Sequence, residues 1–312
     1  MSGSIGIVRK GLYMKQITRR AYAKINLGLD VLGRRANGYH DVRMIMQTVG
    51  IYDELSMKQR ADGEIRIEVL LSDGQTEELA CDEHNLIYKA AALVMREYHL
   101  EHGVDVSLKK TIPIAAGMAG GSTDAAATIL LMNSLYELGL SKEQMCRLGV
   151  TIGADVPYCM IGGTVLAEGI GEILTPLLPA PQCSLLVVKP TVGVSTAHVY
   201  TALDSKEKIP HPDLDGLITC IREQNVAGMA GKLGNVLETV TVSEYPIIAQ
   251  LKEEMLSLGA VGALMSGSGP TVFGIFQNSG QLRAAFEKMQ TLEGVSQIFM
   301  TNFVADIEAE KA

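Results

Sequence analysis

Alternation of apolar and polar residues over positions 20–31 predicts a strand with one apolar face and one functional face. The apolar positions are Ala23, Ile25, Leu27 and Leu29, and the positions between them hold Tyr22, Lys24, Asn26 and Gly28. Asn37 and Gly38 form a strong turn signal. The apolar content of residues 42–51 predicts a partner strand, joined by a hairpin or a short crossover. Another strand is predicted at residues 64–70.

Capping residues mark the ends of the helices predicted in the first half. Asn85 is expected to begin a helix that ends before Gly103, since asparagine is a favoured N-cap and glycine a favoured stop. A second helix is predicted over residues 122–139. Ser141 and Gln144 have the spacing of a capping box, which predicts a third helix directly after it.

The second half of the chain mixes strands and helices. Ser195 and Ser243 are expected to cap two helices there, the second with Pro246 in its first turn. Strands are predicted at residues 183–190, 262–267, 271–276 and 297–304. The proline-rich residues 174–182 are typical of a linker, which places a domain boundary near residue 173. The mixed order of strands and helices along the chain favours an α+β sandwich over a doubly wound sheet.

Composition narrows the class of protein. The 47% hydrophobic and 20% charged content of the 312 residues describes a folded globular chain. A net charge of -8 without any basic block disfavours nucleic-acid or membrane binding. The five cysteines are scattered without a close pair, which predicts a reduced protein. The apolar run near the start is too short for a secretory signal, which predicts a cytoplasmic location. Residues 1–13 are expected to be an extension outside the fold.

The glycine-rich residues 112–127, IPIAAGMAGGSTDAAA, predict an anion site. A strand, a turn and a helix N-terminus point several backbone N–H groups at one place, and the helix dipole adds about half a positive charge there. The segment lacks the lysine of the nucleotide-binding motif G-x-x-x-x-G-K-S/T. It also does not match the dinucleotide-binding motif G-x-G-x-x-G. A di- or triphosphate is the expected ligand. The alternative is a tight turn with Ser122 as a plain N-cap.

Three segments together resemble the GHMP kinases. Residues 113–127, PIAAGMAGGSTDAAA, are similar to their second motif, residues 20–40, RAYAKINLGLDVLGRRANGYH, to their N-terminal motif, and residues 263–276, ALMSGSGPTVFGIF, to their C-terminal glycine motif. Within this superfamily, AKINLGLDVLGRRANGYHDV and GADVPYCMIGGTVLAEGIGE resemble the 4-diphosphocytidyl-2-C-methyl-D-erythritol kinases. The likeness extends over nearly the whole chain from about residue 16.

The resemblance implies a two-domain α+β fold. Residues 1–172 would form the ATP-binding domain, similar to domain 2 of ribosomal protein S5, and residues 173–312 a ferredoxin-like C-terminal domain, with the site in the cleft between them. It implies transfer of a phosphoryl group from ATP, with Mg²⁺, to the C2 hydroxyl of the methylerythritol substrate in the non-mevalonate route to isopentenyl diphosphate. The partner implied is this small molecule, with no nucleic acid, membrane or obligate protein partner.

The resemblance also assigns site residues. ATP binding falls on Pro113, Ile114, Ala115, Ala116, Gly117, Met118, Ala119, Gly120, Gly121, Ser122 and Thr123. Substrate binding falls on Asn26, Tyr39, His40, Tyr200, Ser266, Gly267, Ser268 and Gly269. Lys24 and Asp155 match the catalytic pair, with the aspartate as base and the lysine as its electrostatic partner. The protein ligands of Mg²⁺ are not specified, and Ser122 or Thr123 is the candidate.

Purely structural roles for these residues, and other functions of the chain, remain open at this point. Asp155 could cap a short helical turn, and Lys24 could be a solvated lysine on a strand. Tyr39 and His40 could pack at a hairpin end, and residues 266–270 could be a structural turn. At the level of function, the alternatives are another GHMP kinase, of the homoserine or mevalonate type, and a nucleotide-binding regulator that lacks turnover. The NGYH run close behind Lys24 favours the cytidine substrate.

Overall fold

The computed structural model describes residues 16–72 and 79–309. The extension predicted at residues 1–13 lies outside these residues. Within them, the chain forms two β-sheets with helices packed against them. None of the helices in this part of the chain is long and apolar enough to cross a bilayer.

The described residues form eleven strands in two sheets. The strands are β1 (Gln16–Arg34), β2 (His40–Gln59), β3 (Ile65–Leu71), β4 (Val104–Lys110), β5 (Thr164–Glu168), β6 (Ile173–Pro176), β7 (Ser184–Pro190), β8 (Gly234–Asn235), β9 (Gly262–Met265), β10 (Val272–Phe276) and β11 (Val295–Asn302). The first sheet has the order β3-β4-β2-β1-β8, with β5 paired to β2 and β6 paired to β5. The second has the order β11-β7-β10-β9 and is antiparallel throughout.

Ten helices accompany these strands in the described part of the chain. They are α1 (Leu86–Glu97), α2 (Gly120–Leu135), α3 (Lys142–Val150), α4 (Val156–Ile161), α5 (Thr196–Asp204), α6 (Leu214–Arg222), α7 (Val226–Gly231), α8 (Glu238–Glu244), α9 (Ile247–Ser257) and α10 (Ser279–Met289). Helix α2 packs on β1 and β2 and also contacts α1 and α4. Helices α9 and α10 pack on the second sheet.

The long hairpin β1–β2 is the frame of the first sheet. Its strands are antiparallel and its turn contains Gly38 at φ 88°, so the turn predicted at Asn37-Gly38 is confirmed. The strand register shifts between Tyr22 and Lys24 and again after Asn26. Such bulges change the direction of neighbouring side chains, and here they flank the two polar residues of the predicted functional face.

The face of β1 predicted to be functional is not exposed to bulk solvent. Residues 21–31 are buried at every position, polar and apolar alike. The physical reason is that elements from the second half of the chain also cover this strand. Helix α6 packs so closely that a Cβ on Gly28 would lie 2.4 Å from Leu214 Cδ2, and β8 pairs with β1 in parallel. Lys24 and Asn26 are therefore held inside the protein.

Local end signals were good predictors of helix starts. Asn85 caps α1, and Ser195 caps α5. Ser141 and Gln144 form the predicted capping box of α3. The cap predicted at Ser243 is wrong, because this serine lies within α8, where its hydroxyl donates to the Val240 carbonyl. A break at residues 245–246 separates α8 from α9.

The linker predicted at residues 174–182 is partly wrong. Its first residues belong to strand β6, which pairs with β5 in the first sheet. Strand β8, much later in the chain, also joins that sheet. The second sheet is formed by β7, β9, β10 and β11, and its order, counted along its own strands, is 4-1-3-2. This is the ferredoxin-like arrangement. The division at residue 173 itself stays a prediction.

Candidate active site

A cavity of about 670 Å³ opens beside the glycine-rich loop. Residues from both halves of the chain line it. Lys24, Asp155 and the loop contribute from the first half, and Tyr200 and Ser268 from the second half. A volume of this size suits a ligand of nucleotide dimensions.

The loop ends at the N-terminus of α2, and this helix start has no side-chain cap. Ala119 occupies the N-cap position with φ 58° and makes no capping hydrogen bond through its side chain. Ser122 is inside the first turn, so the plain N-cap interpretation of this serine is wrong. Ala115 and Gly117 also have positive φ. An uncapped start leaves N–H groups available to an anion.

The packing of the loop divides its residues into two groups. Pro113, Ile114, Ala115, Ala116, Gly117, Ala119, Gly120, Gly121 and Ser122 line the cavity. Met118 is 1% exposed and belongs to the hydrophobic core. Thr123 is buried, and its hydroxyl donates to the Tyr22 carbonyl at 2.8 Å. Of the two candidate hydroxyls, Ser122 is therefore the one in the cavity lining.

Two contacts fix the loop against the rest of the molecule. The Lys24 backbone N–H donates to the Met118 carbonyl at 3.2 Å, and the Ser266 hydroxyl donates to the Gly117 carbonyl at 3.0 Å. A Cβ on Gly117 would lie 2.3 Å from the Ser266 carbonyl oxygen, and its φ is +72°. Only glycine fits here, because both the space and the backbone conformation exclude a side chain.

Lys24 and Asp155 meet in the cavity. The Lys24 ammonium lies 3.7 Å from Asp155 Oδ2 and donates to Asn26 Oδ1 at 2.8 Å. Lys24 is only 5% exposed, so the solvated-lysine interpretation is wrong. Asn26 is fully buried, and its Oδ1 accepts the hydrogen bond that orients the ammonium. Its own amide donates to Met44 Sδ at 3.3 Å.

Asp155 stands at the start of the short helix α4. Its backbone occupies the N-cap position, but its side chain makes no capping hydrogen bond. The side chain instead lines the cavity. The carboxylate is thus available for chemistry, with the ammonium of Lys24 as its cationic neighbour. This geometry suits a base that accepts the proton of a substrate hydroxyl.

The aromatic residues predicted for substrate binding lie at the junction of hairpin β1–β2 and helix α5. The rings of His40 and Tyr200 are 4.9 Å apart at an interplanar angle of 40°. Tyr39 is 59% exposed at the hairpin tip, where a ligand could cover it. Burial, and then the charge of Asp155, raise the pKa of Tyr200, so its hydroxyl stays protonated at neutral pH.

The predicted turn at residues 266–269 connects β9 to β10 and also reaches the cavity. Gly267 and Ser268 are in the lining. The Asn235 amide donates to the Gly267 carbonyl at 2.7 Å, and the hydroxyls of Ser268 and Thr196 are 2.7 Å apart. This turn is therefore both a structural connection and a wall of the site. Its buried hydrogen bonds give it a fixed shape.

The sequence did not single out a buried cluster beside the loop, two members of which, Lys110 and Asp124, also line the cavity. The Lys110 ammonium donates to Asp53 Oδ2 at 2.5 Å and to Asp124 Oδ2 at 2.6 Å. Asp53 Oδ1 accepts from the backbone N–H groups of Thr111 and Ile112. The three charged residues are buried. No motif could have found them, because 57 positions separate the first aspartate from the lysine.

Electrostatics distinguishes the two acids of this cluster. Burial raises the pKa of the Asp124 carboxyl well above its usual range, against the attraction of Lys110. Burial alone would lower the pKa of Lys110, but Asp124 and Asp53 outweigh it and raise that pKa. Asp124 Oδ1 has no hydrogen-bond partner among the described residues. The arrangement places two carboxyl groups around one buried ammonium.

Two protein families match the chain. The GHMP kinases N terminal domain matches residues 85–163, and the GHMP kinases C terminal domain matches residues 206–293. The first range includes the glycine-rich loop and Asp155, and the second includes the turn at residues 266–269. Both glycine-rich walls of the cavity therefore lie in segments matched by this superfamily.

Curated relatives and solved structures narrow the family. The 4-diphosphocytidyl-2-C-methyl-D-erythritol kinase of Lachnospira eligens is 50% identical over 92% of this chain and 98% of that protein. Its counterpart in Lachnoclostridium phytofermentans is 47% identical over 93% and 98%. A crystal structure of 4-(cytidine 5'-diphospho)-2C-methyl-D-erythritol kinase superposes with a TM-score of 0.77 at 29% identity, over 92% of this chain and 99% of that one.

A homoserine kinase from Cytophaga hutchinsonii has a TM-score of 0.74 at 18% identity, over 96% of this chain and 98% of that one. At such low identity the likeness concerns the fold alone. The high identity to the cytidyl-substrate enzymes is what separates the families. By these matches the chain belongs to the 4-diphosphocytidyl-2-C-methyl-D-erythritol kinase family of the GHMP kinases.

Proposed function

We propose that this chain transfers the γ-phosphoryl group of ATP to the C2 hydroxyl of 4-diphosphocytidyl-2-C-methyl-D-erythritol, in the non-mevalonate route to isopentenyl diphosphate. The products are ADP and the 2-phosphate. The observation that carries the proposal is the Lys24–Asp155 pair, 3.7 Å apart, on the same cavity as the uncapped start of α2. Identity of 50% to a kinase with this substrate in its name supports the substrate assignment.

The chain's own residues divide the reaction between them. Asp155 accepts the proton of the C2 hydroxyl as its oxygen bonds to the γ-phosphorus, and the bond from that phosphorus to the bridging oxygen of ADP breaks. Lys24 lies beside Asp155 and stabilises negative charge on the transferred group. Asn26 holds the lysine in place through the 2.8 Å hydrogen bond.

The loop and the helix start hold the phosphates of ATP. Their N–H groups and the helix dipole provide positive potential without a loop lysine. Mg²⁺ suits this place, because it keeps several waters and takes only one or two protein oxygens beside the phosphates. Ser122 is the hydroxyl in the lining and would be its protein ligand. The ion would neutralise charge on the β- and γ-phosphates.

Binding of the cytosine end is assigned to Tyr39, His40 and Tyr200. The contact between the His40 and Tyr200 rings supports this assignment, since it places an imidazole next to an aromatic ring that lines the cavity. The methylerythritol end then lies towards Asp155, and the turn at residues 266–269 encloses it. The proposed partner is thus a small molecule that spans both halves of the chain.

A substrate panel tests the proposal. Purified protein with Mg-ATP is given the cytidyl methylerythritol substrate, homoserine or mevalonate, and ADP release is followed. We expect ADP release with the first substrate alone, and phosphorus NMR should place the new phosphate on C2. Comparable turnover of homoserine or mevalonate would reject the substrate assignment. Nucleotide binding without turnover of any of them would instead favour the regulator.

A further inference from the structure

His40 has an acidic partner on the other half of the molecule. Its Nε2 lies 2.7 Å from Asp204 Oδ1. The second oxygen of that carboxylate, Oδ2, lies 3.3 Å from the Arg34 guanidinium. The imidazole is nearly buried, at 10% exposure, and the carboxylate is about one quarter exposed. Nothing in the sequence singled out Asp204.

The chemistry of this contact fixes the histidine ring. An ionised carboxylate can only accept hydrogen bonds, so Nε2 must carry the proton in this pair. In the neutral ring Nδ1 is then the acceptor. The ring also cannot rotate without loss of the bond. Asp204 therefore sets both the tautomer and the orientation of His40.

The same helix carries the second aromatic residue. Tyr200 and Asp204 are four positions apart in α5 and therefore lie on one face of it. Both contact His40, the tyrosine through its ring and the aspartate through its carboxylate. The Asp204–His40 bond thus joins α5 to the start of β2. It fixes the distance between the two elements that would enclose the base.

We propose that Asp204 is a positioning residue for the pyrimidine end of the substrate. It holds the His40 ring in one tautomer and holds Tyr200 at a fixed distance from the hairpin. The inference rests on the proposed function, because it assumes that these residues bind the cytosine. Asp204 has no part in the transfer step, so its loss should weaken binding of the cytidyl substrate and leave ATP binding and chemistry intact.

Steady-state kinetics of Asp204→Ala and Asp204→Asn tests this role. We expect the alanine variant to raise KM for the cytidyl substrate about tenfold, as for loss of one hydrogen bond to a charged group. The asparagine variant retains an acceptor oxygen and should show a smaller rise. KM for ATP and kcat should stay within about twofold of the wild type. Nitrogen NMR of His40 should change from Nε2-protonated to a mixture of tautomers.

A second histidine–carboxylate pair that involves the same helix offers a matched control. His198 of α5 pairs with Glu244 at 3.0 Å, in an exposed position. Glu244→Ala removes the same kind of bond and should change neither KM. An unchanged KM for the cytidyl substrate in Asp204→Ala, or an equal rise in both KM values, would overturn the inference.

The two proposals can fail separately. If the wild type does not phosphorylate the cytidyl substrate, the proposed function is lost, and the NMR tautomer of His40 still decides whether Asp204 holds the ring. If the wild type is active and Asp204→Ala behaves like Glu244→Ala, only the positioning role is lost.

Discussion

Two lysines line the cavity beside the glycine-rich loop, and their surroundings suit them to different tasks. Lys24 has one carboxylate at 3.7 Å from its ammonium. Lys110 has two carboxyl groups at 2.5 and 2.6 Å, and its side chain is 2% exposed against 6% for Lys24. A loosely paired ammonium can turn towards charge that develops in a reaction. A tightly paired one already has its charge compensated, so its removal should mainly affect folding.

Catalytic variants should give the largest effect on activity. We expect Asp155→Asn to fold normally and to lose kcat by about 10²–10⁴-fold, because the base is gone while its shape is kept. Lys24→Met should lose about 10²–10³-fold in kcat with little change in KM for ATP. Assays of ADP release at saturating substrate measure kcat for both variants. Asp215→Asn, at an exposed ion pair on α6, is the control. Near-wild-type turnover of Asp155→Asn would remove it as the base.

The second lysine should affect stability instead. Lys110→Met breaks a buried ion pair and leaves two carboxyls without their cation, which costs about 3–5 kcal/mol in the free energy of unfolding. Urea denaturation measures this loss. Lys109→Met, one residue earlier and exposed, should change stability by less than about 0.5 kcal/mol. Equal effects at the two positions would contradict the structural role of Lys110.

A substitution in the glycine-rich loop should affect ATP binding. Gly117→Ala places a methyl group 2.3 Å from the Ser266 carbonyl oxygen at φ +72°. We expect a loss of at least about 2 kcal/mol in stability and a marked rise in KM for ATP. Gly139→Ala separates the two causes, since Gly139 has φ +66° and open space around it. It should show the backbone strain alone, with KM for ATP unchanged.

The smallest effect is expected at Asp124. Its pKa is raised by burial, so the folded state favours the neutral acid and Asn is a close substitute. The stability that protonated Asp124 contributes is complete below the unfolded pKa of about 4. It is lost as pH rises through the pKa of the folded state. Asp124→Asn should therefore gain stability relative to the wild type as pH rises above about 4. Denaturant midpoints across this range measure the difference.

Asp62 provides the opposite sign as a control. Hydrogen bonding to Arg60 lowers its pKa to about 2. Its contribution is therefore present above the unfolded pKa and is lost as pH falls towards 2. Asp62→Asn should lose stability relative to the wild type as pH rises from 2 to 4. A drift of Asp124→Asn in this same direction would show that Asp124 is ionised in the folded protein.

Local signals in the sequence predicted local structure well. The cap at Asn85 and the capping box at Ser141 are confirmed because each depends on residues within one turn of helix. Ser243 failed as a cap because the preceding segment is itself helical, and packing decides where α8 ends. The predicted alternation in β1 was real, but its polar face is covered by distant elements that no local pattern shows.

The glycine-rich loop was predictable because its chemistry needs consecutive residues. Lack of side chains, an uncapped helix start and backbone N–H groups all follow from one short segment. Lys24 and Asp155 were reached only through the family resemblance, since neither has a distinctive neighbourhood. The Lys110 cluster and Asp204 were missed because each depends on side chains brought together from separate strands and helices.

What the sequence determined by itself was the position of several helix starts, the glycine-rich loop and the family. These depend on periodicity, capping and motifs, which are properties of contiguous residues. Tertiary structure alone decided which charged groups are paired and how tightly. Burial and distance set the pKa of a carboxyl and the freedom of an ammonium, and both depend on residues far apart in the chain. For this reason Lys24 and Lys110 look alike in the sequence but differ in the folded protein.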